Sequence, residues 1–399
     1  MQKRKDETIL EGREELFTEM IFGGVLNFVD ERRSGEGNFR YSLQEILLVW
    51  ICGIICGFKS YREIEEYAEF KLTFFRKFFP YKYGSPSRST ISRIVSLINP
   101  QVMNDILSAT VANLKQGISD DQIDAPIALD GKTNCGLQTV KGYQDALQVV
   151  SAYDTASGVT IAQTAVPNNS NEIIAIKNIL PMLVISNRII TIDAIGTQKE
   201  ITALIRKNEG HYVLAIKENQ KALYHAIKAF FDDKEEVKKL ACYQEHNKEH
   251  GRIEKRTYYT TNIPVRWFDG EGWVDLKTVI MVESERTIGT KTSTSIRYFI
   301  SDLEHTPEQF SRTIRAHWQI ESMHWTLDVT FREDDRILWN KTVAHNESIA
   351  RRIAMNMLGS FRETFRLRNR AEKVSYRLLQ ILMLHDDTKL EALLRGSFK

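Results

Sequence analysis

The 399-residue chain is 42% hydrophobic and 27% charged, with 54 Lys and Arg against 52 Asp and Glu, a formal net charge of +2. That composition excludes disorder, collagen and coiled coil and leaves a globular protein with room for two or three domains. The near balance also forbids any argument from bulk basicity, so a polyanion would have to be met by basic faces. Four cysteines, Cys52, Cys56, Cys135 and Cys242, are too few and too scattered for a disulfide framework or a zinc knuckle and fit a reducing cytoplasm. Cys52 and Cys56, one helical turn apart in an apolar run, read as small buried hydrophobes. The N-terminus has no apolar signal region, and the longest oily stretch, Ile46 to Phe58, is shorter than the ~18 residues of a membrane span. A cytoplasmic protein without a membrane partner is expected.

From Glu15 to about Leu114, apolar residues recur at helical spacing, as in Leu47, Leu48, Ile51, Ile54 and Ile55, which predicts a helical N-terminal domain over residues 1–118. Within it, Gly84-Ser-Pro-Ser-Arg-Ser-Thr-Ile-Ser-Arg-Ile-Val is a turn followed by a capped helix carrying Arg88 and Arg93. A DNA-reading helix has this form, and so does an ordinary surface helix. From residue 119, short β-rich runs alternate with helices. Strands are predicted at Ile127 to Asp130, Ala146 to Tyr153, Val159 to Val166, Arg188 to Asp193 and His211 to Lys217, with helices after Asn171 and from Thr197 to Lys207. Three strands with short connections imply an antiparallel meander, and the helical crossovers after them imply parallel pairing, an RNase H-like order.

Residues 119–233 thus form the first part of that core, and 234–303 a β-rich insertion with runs at Arg252 to Thr261, Trp273 to Glu283 and Ser293 to Ser301. Residues 304–345 complete the core with one helix, opened by the capping box Thr306-Pro-Glu-Gln309 and expected to run to about Val329. Residues 346–399 read as helical and basic, with Arg362, Arg366, Arg368, Arg370, Lys373 and Arg377 against Glu363 and Glu372. The fold class is α/β: an RNase H-like mixed-sheet core with a β-rich insertion, flanked by helical N- and C-terminal regions.

Three acids stand where they would have chemical use. Asp130 ends the first predicted strand, Asp193 ends the fourth, and Glu321 lies in the helix after the insertion. In the predicted order the first and fourth strands are neighbours, so the two aspartates would meet at one sheet edge. Adjacent carboxylates repel unless cations neutralise them, and hard cations such as Mg²⁺ take carboxylate oxygen. With a third carboxylate such a cage suits two-ion phosphodiester chemistry. Gly131 after Asp130 allows close approach of a ligand, and Lys132 offers a phosphate partner. His317, Trp318, His324, Trp325 and Asp328, at −4, −3, +3, +4 and +7 from Glu321, would share its helical face, the tryptophans mainly as packing and the others as support or substrate contacts. Gly131-Lys-Thr resembles the end of a nucleotide-binding loop, but the required glycine five positions earlier is Pro126, so no nucleotide cofactor is expected.

Five segments, Ile127-Ala-Leu-Asp-Gly-Lys-Thr133, Ile189-Ile-Thr-Ile-Asp-Ala-Ile-Gly-Thr-Gln198, Tyr212-Val-Leu-Ala-Ile-Lys-Glu-Asn-Gln220, His250-Gly-Arg-Ile-Glu254 and Arg315-Ala-His-Trp-Gln-Ile-Glu-Ser-Met-His-Trp-Thr-Leu-Asp328, resemble in order and spacing the bacterial insertion-sequence transposases of the H-repeat-associated (ISAs) type. The resemblance runs from about Glu11 to about Leu384. It implies a DDE transposase whose metal-binding triad is Asp130, Asp193 and Glu321, with Mg²⁺ as cofactor and Mn²⁺ as a substitute. Its partners would be double-stranded DNA, both element ends and target, and a second copy in a DNA-bound dimer, in a bacterial cytoplasm and associated with the nucleoid. Related cut-and-paste enzymes carry Tyr, Arg and Lys at −7, −4 and +7 from the glutamate, where this chain has Ile314, His317 and Asp328, so those phosphate-gripping roles do not transfer. Lys217, Asn219 and Gln220, just after the last core strand, and Arg252 and Arg256 in the insertion are the candidates for gripping DNA. A metal-dependent nuclease without strand transfer, and a catalytically retired DNA-binding regulator, are the rival readings.

Overall fold

The structure, a computed structural model, describes residues 40–115, 125–134, 147–167, 170–249, 251–262, 272–335, 340–365 and 374–396. Cys135, the predicted helix before residue 40, and Arg366, Arg368, Arg370, Glu372 and Lys373 lie outside them.

The first helix, α1 (Leu43–Ile55), starts at a reciprocal cap in which Ser42 accepts from the Glu45 amide and Glu45 accepts from the Ser42 amide. Glu45 to Ile55 are all buried, Cys52 included, so α1 lies at the centre of a bundle rather than on its surface. Around it pack α2 (Tyr61–Phe70), α3 (Leu72–Phe75), α4 (Arg88–Leu97) and α5 (Pro100–Lys115). The same apolar core takes in helices from the far end of the chain, α12 (Lys341–Thr364), α13 (Tyr376–His385) and α14 (Asp387–Arg395). Every residue of α12 from Ala344 to Leu358 is buried. Its polar side chains are tied down: Asn346 Nδ2 donates to the carbonyls of Val95 and Ile98 at 2.9 Å, and Asn356 accepts from the Thr160 amide at 2.9 Å while donating to the Thr160 carbonyl at 2.8 Å. These last two bonds satisfy the backbone of an edge strand.

That edge strand belongs to one nine-stranded mixed sheet of order β3-β2-β1-β4-β5-β9-β8-β7-β6. β1 (Ile127–Asn134) pairs antiparallel with β2 (Leu147–Asp154), which pairs antiparallel with β3 (Val159–Ala165). β1 also pairs parallel with β4 (Ile189–Ile192), and β4 with β5 (His211–Ile216). The crossovers are α6 (Glu172–Ile179) and α7 (Lys199–Lys207), and α8 (Lys221–Asp232) and α9 (Lys234–Val237) follow β5. This is the expected RNase H-like order.

The insertion differs from its expected form. It has four strands, β6 (Ala241–Glu249), β7 (Arg252–Thr261), β8 (Thr278–Ile288) and β9 (Lys291–Ser301), in an antiparallel meander. β9 pairs antiparallel with β5, so the insertion extends the core sheet. β6 escapes sequence reading because Gln244 to Glu249 carries no apolar alternation, as suits an outer edge. The long helix expected to Val329 is two, α10 (Pro307–His317) and α11 (Gln319–Val329). At the junction the Trp318 amide bonds to the Arg315 carbonyl at 3.2 Å, a tightened turn. α10 buries Phe310 and Ile314 against the sheet, whereas α11 buries Ile320, Met323 and Leu327 in the helical bundle. One straight helix could not point its apolar stripe at both.

His345 lies inside the bundle on α12, its Nε2 without a hydrogen-bond partner among the described residues. Burial, with a smaller push from the Arg352 charge, lowers its pKa to about 4. The folded pKa is below the unfolded value, so between these the unfolded chain binds more protons, and stability present above about pH 6.5 drains away as pH falls to 4. Urea unfolding should show this one group removing on the order of 2 kcal/mol between pH 7 and pH 5, a share absent from His345→Gln.

Candidate active site

The parallel register of β1 on β4 runs Ile127 with Ile190, Ala128 with Thr191 and Leu129 with Ile192. The next residues are Asp130 and Asp193, which therefore stand side by side where β4 stops. Asp130 itself is not a strand end, since β1 continues to Asn134 and Asp130 lies opposite Ser151 of β2.

The loop after Asp193 is held from several sides. Asp193 Oδ1 accepts from the amides of Ile195 at 3.1 Å and Gly196 at 3.4 Å, and the Thr197 hydroxyl donates to the Ala215 carbonyl at 2.7 Å. Asn219 Nδ2 donates to the Ala194 carbonyl at 2.5 Å, and Gln220 Nε2 to the Thr197 carbonyl at 3.0 Å. Asn219 and Gln220, expected to grip DNA, thus brace the Asp193 loop. Lys217 is exposed just past the end of β5, at the same sheet edge.

Glu321 is in the first turn of α11, whose apolar face is fixed in the bundle. Burial, then the charge of Asp130, raises its carboxyl pKa against the opposing pull of Arg297 and His324. The Arg297 guanidinium also lies 4.7 Å over the Trp318 ring. His324 Nδ1 is 3.4 Å from Asp130 Oδ2, and His317 Nδ1 is 2.9 Å from Thr191 Oγ1. Burial keeps His317 toward its neutral form, against the attraction of Asp130 and Asp193. His324 of α11 thus lies against Asp130 and His317 of α10 against Thr191 of β4, so the two helices that meet at Trp318 both border the aspartate pair.

Lys132 shares a face of β1 with Asp130. Its ammonium is buried, 2.7 Å from Asp328, 3.1 Å from Glu333 and 3.6 Å from Asp334, so the lysine expected at a phosphate is held within the fold, and Asp328, expected as support or as a substrate contact, pairs with it. Glu333 is fully enclosed, bonded to Arg352 at 2.9 Å and to the Ser348 hydroxyl at 2.7 Å. Burial pushes its carboxyl up, but Arg352 and Lys132 outweigh this and hold it well below the usual carboxylate range. Arg352 Nε reaches Ser151 Oγ at 3.3 Å, directly across β2 from Asp130.

In the insertion, Arg252 and Arg256 are spent on carboxylates: Arg256 pairs with Glu254 and lies 3.5 Å from Glu245, and Arg252 is 3.5 Å from Glu254. Arg88 and Arg93 are exposed on α4, whose other face buries Ile91 and Val95.

Sequence reading passed over Glu172. It opens α6 behind the cap Asn171, and its carboxylate occupies the space that a Cβ on Gly131 would need. Burial, then Asp193, then Asp130, raises its pKa. The available signal was the glycine beside Asp130, whose missing side chain makes room for something.

Among the described residues no three His, Cys, Asp or Glu are already grouped to hold a metal ion. The donor chemistry nevertheless fits a hard divalent cation: the carboxylates gathered here supply only oxygen, and the negative charge they crowd together is what such an ion neutralises.

Removing Lys132 should leave Glu333 and Asp328 short of a countercharge. Lys132→Met is expected to cost about 3 kcal/mol or more in urea unfolding at pH 7, as breaking a buried ion pair does. A loss below about 0.5 kcal/mol would mean that the ammonium is solvated.

Residues 127–357 match the family described as transposase DDE domain, and residues 25–110 match its DDE_Tnp_1-associated region. The "Putative transposase YncI" of Escherichia coli O157:H7 is 33% identical over 333 residues, 81% of this chain and 83% of that protein. The "H repeat-associated putative transposase YhhI" of Escherichia coli strain K12 is 34% identical over 329 residues, 80% of this chain and 85% of that one. A cryo-EM structure of the piggyBac transposase synaptic complex with hairpin DNA superposes with a TM-score of 0.46 at 10% identity, covering 96% of this chain and 79% of that one. With a family match across more than half its length and relatives at 33–34% identity of which it covers more than four fifths, this chain belongs to the DDE transposase family.

Proposed function

We propose that this transposase binds the ends of its own insertion sequence and cuts and joins DNA there, with Asp130, Asp193 and Glu321 as the catalytic carboxylates. The observation that carries this reading is the register of β1 on β4, which sets Asp130 beside Asp193, supported by the contacts of α11, the helix bearing Glu321, with β1 through His324 and Asp328. Asp130 and Asp193 would hold one Mg²⁺ or Mn²⁺ and Glu321 would help hold a second, the pair supplying nucleophile activation and charge stabilisation at the leaving oxygen.

The protein's own groups would do the rest. Asn219 and Gln220 keep the Asp193 loop from moving, and His324 fixes one oxygen of Asp130. Lys217 at the sheet edge and Arg88 and Arg93 on α4, exposed and without an ion-pair partner among the described residues, offer cations for backbone phosphates, whereas Lys132, Arg252 and Arg256 are already neutralised within the fold. Water would first displace a 3′ oxygen at the element end in line. The freed 3′-hydroxyl would then attack a target phosphodiester, forming one P–O bond as another breaks, with no covalent enzyme intermediate. Joining two ends calls for at least a dimer on DNA. Among the described residues no helix is long and apolar enough to cross a membrane.

With labelled element-end DNA and Mg²⁺, Asp193→Asn should lose cleavage by at least 1,000-fold, on the order of a lost electrostatic stabiliser, while retaining end binding. Cleavage that survives the change removes the site. A precut end should yield joined products on a sequencing gel; hydrolysis alone would make the protein a nuclease, and binding alone a regulator. Replacing Arg88 or Arg93 by Ala should weaken end binding and lower the slope of log K against log salt by about 1 each.

A further inference from the structure

The Glu172 carboxylate lies against position 131 of β1, one residue past Asp130, on the opposite side of the sheet to α11. Side chains alternate along β1, so Asp130 and Lys132 face α11, and position 131 faces the α6 side along with Ile127 and Leu129, which belong to the same core as Ala175 and Ile176. Position 131 has no side chain, and the carboxylate of Glu172 fills that space: all three atoms nearest to a hypothetical Cβ there belong to the Glu172 carboxyl group. The acid is thus laid over the strand one residue past Asp130, next to the place where β4 ends at Asp193.

Among the described residues no cation or hydrogen-bond donor is paired with the Glu172 carboxylate, and Lys177 of the same helix is engaged by Glu200. The charged groups that bear on Glu172 are Asp193 and Asp130, both of its own sign. An acid at the first turn of a helix has a bland explanation, favourable interaction with the helix dipole. That explanation does not require a glycine under the carboxylate, nor a like-charged pair within reach.

We propose that Glu172 is a fourth carboxylate of this site, a ligand for the divalent cation held beside Asp130 and Asp193, admitted to it by the missing side chain at Gly131. The inference rests on the metal-dependent reading above. Glu172 would bring a donor from the α6 face while Glu321 brings one from the α11 face, so the cation would be enclosed from both sides of the sheet. Gly131 is then a positioning residue, required for the space it leaves.

The test is Mn²⁺ binding to the full-length protein without DNA, read as free Mn²⁺ by electron paramagnetic resonance, with the metal-free melting temperature measured in parallel. Glu172→Gln should weaken Mn²⁺ binding by about tenfold or more and leave the metal-free melting temperature unchanged or higher, because like charges are relieved. Gly131→Ala, whose new Cβ displaces the carboxylate, should weaken binding in the same way. Asp193→Asn serves as the reference. If it weakens Mn²⁺ binding and Glu172→Gln does not, Glu172 is no ligand and the proposal falls while the metal-dependent reading stands. If Asp193→Asn binds Mn²⁺ as the wild type does, that reading itself fails. A lower metal-free melting temperature in Glu172→Gln with unchanged Mn²⁺ binding would assign the acid to the helix dipole and overturn the proposal.

Discussion

Three buried charges, Lys132 on β1, Glu333 after α11 and Arg352 on α12, join the sheet to the helical bundle at the point where the candidate site is assembled. Glu333 lies between the two cations, and Arg352 continues to Ser151 on β2. Such a cluster contributes little net stability compared with an apolar substitute, because each ion loses its hydration, but an incomplete cluster is strongly destabilising. It therefore acts as a register pin. In the observed placement of β1, α11 and α12 each charge has an opposite neighbour, and Asp130 lies on the face of β1 turned to the helix that carries Glu321. Asp328 extends the pin along α11 itself, two turns beyond Glu321.

The same logic explains why the acids can lie on elements so far apart in sequence. β1 and β4 fix the aspartates through backbone register, which needs no particular side chains. α11 has no such register with the sheet. It is held instead by its apolar face, Ile320, Met323 and Leu327, in a core built from both ends of the chain, and by the ionic link to β1. The helical regions are thus part of what positions the third carboxylate, whatever else they contact. Likewise the insertion prolongs the sheet through β9 on β5, and Arg297 of β9 arrives at Trp318 and Glu321 as a result.

Much of this was legible in the sequence because the signals were local. The alternation of strands and helices from 127 to 217, the caps at Asn171 and Thr306 and the acids at Asp130 and Asp193 are all readable within a few residues. β6 was not, since an outer edge strand can be polar on both faces. The break at Trp318 was not, because each half of that helix is regular, and only the two different cores to which the halves belong require the bend.

The sequence by itself determined the order of the core strands and the acid that follows β4, because hydrophobic period and turn chemistry act over short spans, while Asp130, expected at a strand end, lies within β1. The partners of each charge were decided by the tertiary structure alone. Lys132, Asn219, Gln220, Arg252 and Arg256 look in sequence like free groups at strand ends or on a strand, and the fold turns each toward an internal acceptor. Glu172 looks like a helix cap, and the fold lays it over Gly131. Electrostatic pairing depends on distance in space, and residues 40 or 200 positions apart become neighbours only once the sheet and bundle have closed around them.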